Sequence, residues 1–342
     1  MRLAKKNSNL VVKIPGIDTI RDFQSGKIID KKAFKKRQCP VCNDSKTLER
    51  GKVDIFPILK CLECGLSFCG LLPTGKSNLG RFDDRSRKYD VSSTTPKNRE
   101  LNSHKRFLRR ELKNYVDLKK PLNFLDFGSG SGQMIGAALS LGWKACSVEI
   151  NPDLRKIVSD NYRVPTYANM KSIPESDKFD VIWMNYVACL LPEPVKIFEE
   201  VRKYLSKEGV FVLSDPNFDG HCVKKNDLLH YYFAPPTLNY WTHASIRNAL
   251  KLAGFKYISD IKVSKFHPAV FLDGMHPSLE YFDKHSNSQF KRTKLQNLLR
   301  RIFTSIFFIR IFKVLILILS VLGASKIRNM GFGNQITIAC RK

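Results

Sequence analysis

From residue 121 to residue 214, short apolar runs alternate with helical stretches, and that order excludes an all-α bundle and an all-β sandwich. Strands are predicted at 123–127, 144–150, around Tyr167, at 179–185 and at 210–214, with helices at 132–141, 152–161 and 194–206 between them. Continuous apolar strands separated by helices require a parallel sheet covered on both faces, and each crossover is then right-handed. A helix over 242–253, a strand over 257–263 and a final strand over 335–339 complete the series. Ahead of it a charged helix is predicted over 98–118, with Leu101, Phe107, Leu108, Leu112 and Tyr115 as its apolar stripe.

The first strand runs into Asp126-Phe127-Gly128-Ser129-Gly130-Ser131-Gly132, which opens a helix. Glycines let backbone approach a ligand closely, and a helix N-terminus offers unpaired amides to an anionic group. The dinucleotide fingerprint needs a glycine three residues past its second one, where this chain has Gln133. Instead Asp126 precedes the loop and Glu149 ends the next strand, where a carboxylate can accept two ribose hydroxyls.

Asp126-x-Gly128-x-Gly130-x-Gly132 with Glu149 resembles the first two motifs of the class I S-adenosylmethionine-dependent methyltransferases. The run 179–185 with Leu191-Pro192-Glu193-Pro194 is similar to the family's fourth-strand motif, and 238–242 through 252–255 to its Tyr-Phe-Thr…Ala-Gly-Phe helix. Residues 331–339 resemble its last strand; Lys207-Glu208-Gly209 departs from its Pro-Gly-Gly turn. The resemblance implies an α/β fold: a Rossmann-like, seven-stranded, mostly parallel sheet with an antiparallel last strand. It also implies that S-adenosylmethionine is the cofactor. Gly128 and Gly130 would line its methionine part, Asp126 its amino group, Glu149 its ribose, Asn169 its adenine and Asn185 its sulfonium. Where the family often carries histidine this chain has Tyr186 and Thr237, so Tyr186, His221 and His230 are the candidates for the catalytic proton acceptor, with Asp215 a further one.

Cys39-Pro-Val-Cys42 and Cys61-Leu-Glu-Cys64 are two C-x-x-C knuckles separated by 18 residues. Zn²⁺ prefers four thiolates in a tetrahedron, and a two-residue gap lets one tight turn present both sulfurs. Cys39, Cys42, Cys61 and Cys64 are therefore expected to form a structural zinc ribbon too small for a core of its own. Followed by Leu72-Pro73-Thr74, the ribbon narrows the resemblance to a subgroup acting on sugars. Nine cysteines without a disulfide-like distribution, and an N-terminus without an apolar signal segment, point to a reducing cytoplasm.

The net charge of +27 is uneven. Residues 1–38 hold eleven basic and three acidic side chains, and residues 285–342 hold eleven basic and none acidic. Basic ends suggest an anionic partner, whether a membrane face, a nucleotide or nucleic acid. The apolar stretch 302–324 is interrupted by Arg310 and Lys313, and its longest uncharged run has twelve residues, short of a membrane span. It reads either as a helix lying on the membrane through 300–325 or as one buried against protein. The chain thus divides into a basic extension (1–38), the zinc ribbon (39–69), a polar linker (70–96), the methyltransferase domain (97–284), a basic apolar helical insertion (285–328) and the final strand (329–342). The leading expectation is a cytoplasmic methyltransferase acting on a small-molecule or carrier-linked sugar, peripheral on the inner membrane face. An RNA methyltransferase and a non-catalytic interaction protein are the alternatives; the ribbon lacks concentrated aromatics for base stacking.

Overall fold

A computed structural model describes residues 34–53, 56–73, 98–219, 237–259, 262–263 and 335–342. Its N-terminal part is built from short antiparallel strands. β1 (Phe34–Lys36) is followed by β2 (Thr47–Val53), β3 (Phe56–Cys61), β4 (Ser67–Cys69) and β5 (Leu71–Pro73). β2, β3 and β4 form an antiparallel meander. β1 pairs with β5, so residues 34–36 of the basic extension and 71–73 of the linker close on each other beside the ribbon. Phe56 and Ile58 alternate inward along β3, and Phe34 packs edge-on against Phe56 at 5.1 Å.

Helix α1 (Asn98–Leu112) precedes the main sheet. It stops six residues short of the expected helix, because Tyr115 and Val116 both donate backwards to the Leu112 carbonyl in a closing turn. The Tyr115 carbonyl then accepts from the Arg341 guanidinium. Thereafter come β6 (Asn123–Phe127), α2 (Gln133–Leu139), β7 (Lys144–Val148), α3 (Pro152–Tyr162), β8 (Thr166–Tyr167), β9 (Phe179–Asn185), α4 (Pro194–Tyr204) and β10 (Leu205–Pro216). β11 (Asn239–Tyr240), α5 (His243–Leu252), β12 (Tyr257–Ile258), β13 (Lys262–Val263) and β14 (Gln335–Arg341) complete the described elements.

The sheet order is β12-β14-β10-β9-β6-β7-β8, with β13 also paired to β14. Pairs among β6 to β10 are parallel, whereas β14 runs antiparallel to β10, β12 and β13. This is the expected mostly parallel seven-stranded sheet with an antiparallel last strand. The chain reverses direction across the sheet between β6 and β9, and the crevice outside the carboxyl ends of these two strands is where ligands bind in such sheets.

Alternate residues of each strand feed opposite faces. Phe124, Val181, Trp183, Val210 and Val212 meet Leu108 and Leu112 of α1 and Ile135 and Ala138 of α2. Leu125, Ile182, Met184, Phe211 and Leu213 meet Phe198 of α4 and Ile246 and Leu250 of α5. β10 starts earlier than the expected 210–214 strand, pairing at Leu205 with Phe179 before a bulge that ends at Val210. Gly209 is fixed by that bulge: a Cβ there would lie 2.6 Å from the Phe179 carbonyl oxygen.

The ribbon is not a separate bead. β11 adds to the free edge of β4, extending the ribbon sheet to the order β11-β4-β3-β2. Cys39, Cys61, Cys64, Leu66 and Phe68 belong to the same apolar cluster as the α4–α5 face of the main sheet. A second junction cluster joins Phe56, Ile58, Cys69 and Leu72 to Phe218, Leu238 and Tyr240. A module too small for its own core thus borrows that of its neighbour. Among the described residues no helix is long and apolar enough to cross a membrane. The stretch 302–324 and most of the basic ends lie outside the described residues.

Candidate active site and cysteine centre

At the carboxyl edge of the sheet, β6 delivers Asp126, opposite Ser147, and the glycine loop, while Glu149 follows one residue past the end of the neighbouring β7. Gly128, Gly130 and Gly132 all hold positive φ, at 79°, 54° and 82°. Each has a different reason to lack a side chain. A Cβ on Gly128 would lie 2.3 Å from Val187 Cγ2, and one on Gly132 would lie 2.6 Å from the Tyr162 ring. A Cβ on Gly130 would meet nothing within 4 Å, so its backbone faces open space. Gly128→Ala combines a left-handed backbone with a collision against Val187. It should cost a few kcal/mol of stability and remove cofactor binding, measurable by thermal denaturation and calorimetric titration.

Glu149 is buried and accepts from the Gly130 N–H at 2.8 Å and the Asn151 N–H at 2.9 Å. One carboxylate therefore ties the glycine loop to the start of α3. Asn151 caps that helix, accepting from Asp153 and Leu154 amides with Pro152 in the first turn. Burial raises the Glu149 pKa, against the opposing pull of these two amides and of Arg155. Arg155 donates to the carbonyls of Glu149 and Ile150 at 2.8 Å each. Beside them Ile150 stays 46% exposed, an apolar surface next to a polar anchor.

Asp126 is 4% exposed, and burial followed by the neighbouring Glu149 charge pushes its pKa up to about 8. The folded chain therefore holds a proton there that the unfolded chain, with its ordinary pKa of 3.8, has lost. The stability from this group is fully present below pH 4 and is lost as pH rises towards 8, at most about 1.4 kcal/mol per pH unit. Chemical denaturation of the ligand-free protein should show stability falling between pH 5 and pH 8, with Asp126→Asn flattening part of that slope. Asp215 contributes in the same direction, since burial raises its pKa to about 7.

On the β9 side, Asn185 ends the strand and its Oδ1 accepts from Gln335 Nε2 at 3.3 Å. Gln335 also donates to Ser214 Oγ at 2.6 Å. Tyr186 follows with φ of 57°, its N–H donating to the Ser214 carbonyl at 2.8 Å. The strained residue starts a turn through Ala188–Leu190 that lays Val187 against Gly128. Asp215 is fully buried; its Oδ1 accepts from the Cys189 N–H at 3.4 Å, while its Oδ2 has no hydrogen-bond partner. Asn169 lies at the same edge after β8, exposed, accepting from Ser172 Oγ at 3.2 Å. His221 and His230 lie outside the described residues. Ile150, Val187, Gln335 and the buried, unpartnered Ser129 Oγ were not singled out from sequence. Ile150 had a local signal, an apolar residue directly after the strand-end acid; Gln335 had none.

Glu149 bonds the Gly130 amide, the buried Asp126 lies close enough to feel the Glu149 charge, and the Ser129 hydroxyl in the loop has no partner.

The four knuckle cysteines come together with all sulfurs within 4.8 Å of one another. Cys39 and Cys64 sulfurs are 3.4 Å apart and those of Cys42 and Cys61 3.5 Å apart. A tetrahedron with Zn–S bonds of about 2.3 Å has edges of about 3.8 Å, so a few tenths of an ångström of spreading accommodates the ion. The two knuckles have the same backbone. Cys39 N–H donates to the Asp44 carbonyl and Cys61 N–H to the Leu66 carbonyl, while Asn43 and Gly65 donate back to Cys39 and Cys61. Asn43 and Gly65 both adopt positive φ, 58° and 75°, the residue types that do so at least cost. Paired identical turns converging four thiols fit a closed structural metal site.

Residues 99–260 match the family model described as a methyltransferase domain. No curated protein matches the chain in sequence. Among solved structures, an S-adenosylmethionine-dependent methyltransferase from Archaeoglobus fulgidus is 15% identical, with 71% of this chain and 94% of that one covered at a TM-score of 0.44. One from Clostridium acetobutylicum is 12% identical, covering 76% and 98% at 0.42. Another, from Mesorhizobium loti, is 14% identical, covering 71% and 100% at 0.42. The region that matches this methyltransferase-domain model carries the acid–glycine loop, its partner acid and all five parallel strands.

Proposed function

We propose that the domain binds S-adenosylmethionine between the glycine loop and Glu149 and methylates a nucleotide- or lipid-linked sugar. The observation that carries the cofactor part is the neighbouring pair of buried acids, Asp126 and Glu149, with Glu149 bonded to the amide of Gly130, where a side chain would meet nothing. Glu149 would accept the ribose hydroxyls, Ile150 would cover one face of the adenine with Asn169 at its rim, and Asp126 would receive the amino group. A cation beside Asp126 draws its proton off, so binding near neutral pH releases a proton to solvent.

When bound, S-adenosylmethionine supplies a methyl carbon on a sulfonium, an activated electrophile with a neutral thioether as leaving group. The protein's own work is alignment and proton removal. The turn after β9 presents Tyr186 and the Asn185 amide at the reacting edge, and the acceptor must be held about 3–3.5 Å from the methyl carbon, in line with the breaking bond. Tyr186, His221 and His230 are candidates to take the acceptor proton. Asp215, with its pKa raised to about 7 and one free oxygen, stands directly behind the turn as a further one.

The sugar reading is supported by the two-knuckle ribbon joined to this domain and by the net charge of +27, which suits a phosphate-bearing carrier. RNA is the second reading. The ribbon's docking against it weighs: Phe68 is buried at the junction, and β4 spends its edge on β11 instead of presenting it. We further propose structural Zn²⁺ on the four cysteines, a cytoplasmic location and peripheral membrane contact through 300–325.

The test is calorimetric titration with S-adenosylmethionine in buffers of different ionisation enthalpy, then transfer of labelled methyl to pooled nucleotide sugars, polyprenyl-linked sugars and total RNA. Binding with proton release and label in a sugar fraction are expected. Absence of binding would sink the enzyme reading, and label confined to RNA would replace the sugar reading.

A further inference from the structure

Asn239 is 1% exposed, yet all of its side-chain polar capacity that faces the site is spent on the main chain of another element. Its Nδ2 donates to the Ala188 carbonyl at 2.9 Å and to the Leu191 carbonyl at 2.7 Å. These two carbonyls belong to the turn that follows Tyr186. From the opposite side its Oδ1 accepts from Arg37 Nη2 at 2.8 Å. Arg37 stands at the base of the cysteine ribbon, its guanidinium over the Phe68 ring at 5.4 Å and its N–H on the Gly70 carbonyl at 3.1 Å. The main chain repeats the link. Leu238 donates to the Cys189 carbonyl at 2.8 Å, while its own carbonyl accepts from Cys69 N–H at 2.9 Å. Ribbon strand and active-site turn are therefore bonded to the same two residues, Leu238 and Asn239.

What that turn carries makes the link functional. Val187 sits where a side chain on Gly128 would be, so the turn forms the wall that closes over the glycine loop. Tyr186, at its start, holds a left-handed backbone that a non-glycine residue adopts only when its surroundings impose it. The Asn239 amide is bonded at both ends, to Arg37 Nη2 on one side and to two turn carbonyls on the other, which favours one arrangement, while Arg37 Nη1 is buried without a partner.

We propose that the cysteine ribbon serves the cofactor pocket directly, with Arg37 and Asn239 as positioning residues that hold the 186–191 turn against the glycine loop. The inference deepens the reading of this pocket as the S-adenosylmethionine site and rests on it. The ribbon then acts as a brace for the catalytic edge, and its folding state is read out at Val187 and Tyr186.

The test uses the full chain. Amide hydrogen exchange is followed in two windows, 186–191 and 144–162, the second covering β7 and α3 on the far side of the pocket. Asn239→Leu and Arg37→Met should each speed exchange in the first window at least fivefold and leave the second unchanged, with S-adenosylmethionine bound about fivefold more weakly. Arg37→Lys, which can still donate to Oδ1, should restore most of the protection. Because Asn239→Leu could fail to fold, the wild-type protein is also examined after metal removal with a chelator under reducing conditions and after Zn²⁺ is restored. The expected result is a reversible loss of protection several-fold larger over 186–191 than over 144–162, read well below the lowered thermal midpoint. Unchanged exchange there in both experiments overturns the brace, and so does an equal rise in both windows, which is general destabilisation. If the wild type binds no S-adenosylmethionine the pocket reading fails, while the exchange windows still decide the brace.

Discussion

Glu149→Ala should weaken S-adenosylmethionine binding at least about 100-fold, or roughly 2.7 kcal/mol. The size follows from what one side chain does at once. A charged acceptor contributes about 1.5–3 kcal/mol per well-made hydrogen bond, and the ribose presents two hydroxyls. The same carboxylate anchors the amides of Gly130 and Asn151, so its removal also frees the loop that must cradle the ligand. Glu149→Gln separates the two roles: the amide keeps one acceptor oxygen and the side-chain volume, and a loss of about tenfold is expected. Calorimetric titration gives both numbers, and thermal denaturation of the free proteins checks that the fold persists. Equal, small effects of the two substitutions would mean that the ligand does not use this carboxylate.

The second large effect concerns the cysteines. Cys42→Ser, or metal removal from the wild type, should lower the thermal midpoint of the whole protein by more than 10 °C, in one transition. Structural zinc contributes about 10–16 kcal/mol to the folding of isolated fingers, and the loss is normally confined to the finger. Here Cys39, Cys61 and Cys64 pack in the same cluster as Phe198, Phe211 and Trp241, so a collapsed ribbon uncovers one face of the methyltransferase core. A separate early transition, with the main one unmoved, would show that the shared cluster does not couple the two parts. Scanning calorimetry with and without a chelator distinguishes these results.

The parts of the molecule visible in sequence are those built from near neighbours. The sheet's strands, the glycine loop and Glu149 announce themselves because period, turn residues and strand-end acids lie within some thirty residues of one another. Helix ends were less visible. α1 stops at Leu112 because the carbonyl at Tyr115 turns out to Arg341, a partner 226 positions away. The early start of β10 at Leu205 likewise depends on Phe179 across the sheet. Invisible altogether were pairings that join distant segments. Gln335 orients the Asn185 amide from 150 residues away, and Asn239 meets Arg37 across 202. β11 is only two residues long, too short for periodicity to mark, yet it is the strand that completes the ribbon sheet. The clustering of the four cysteines was recognisable from their spacing, but the attachment of their strands was not, because that spacing carries no information about which apolar surface they face.

The shared edge between β4 and β11 also decides how this chain can be divided. A version trimmed to begin near residue 97 would leave the amides of Asn239 and Tyr240 without their partner strand and turn Phe218, Leu238 and Tyr240 out to water. Such a fragment carries a sticky β-edge bordered by aromatic surface, the recipe for self-association. A boundary drawn by family likeness therefore cuts through apolar clusters and a strand pairing that the ribbon and the main domain share.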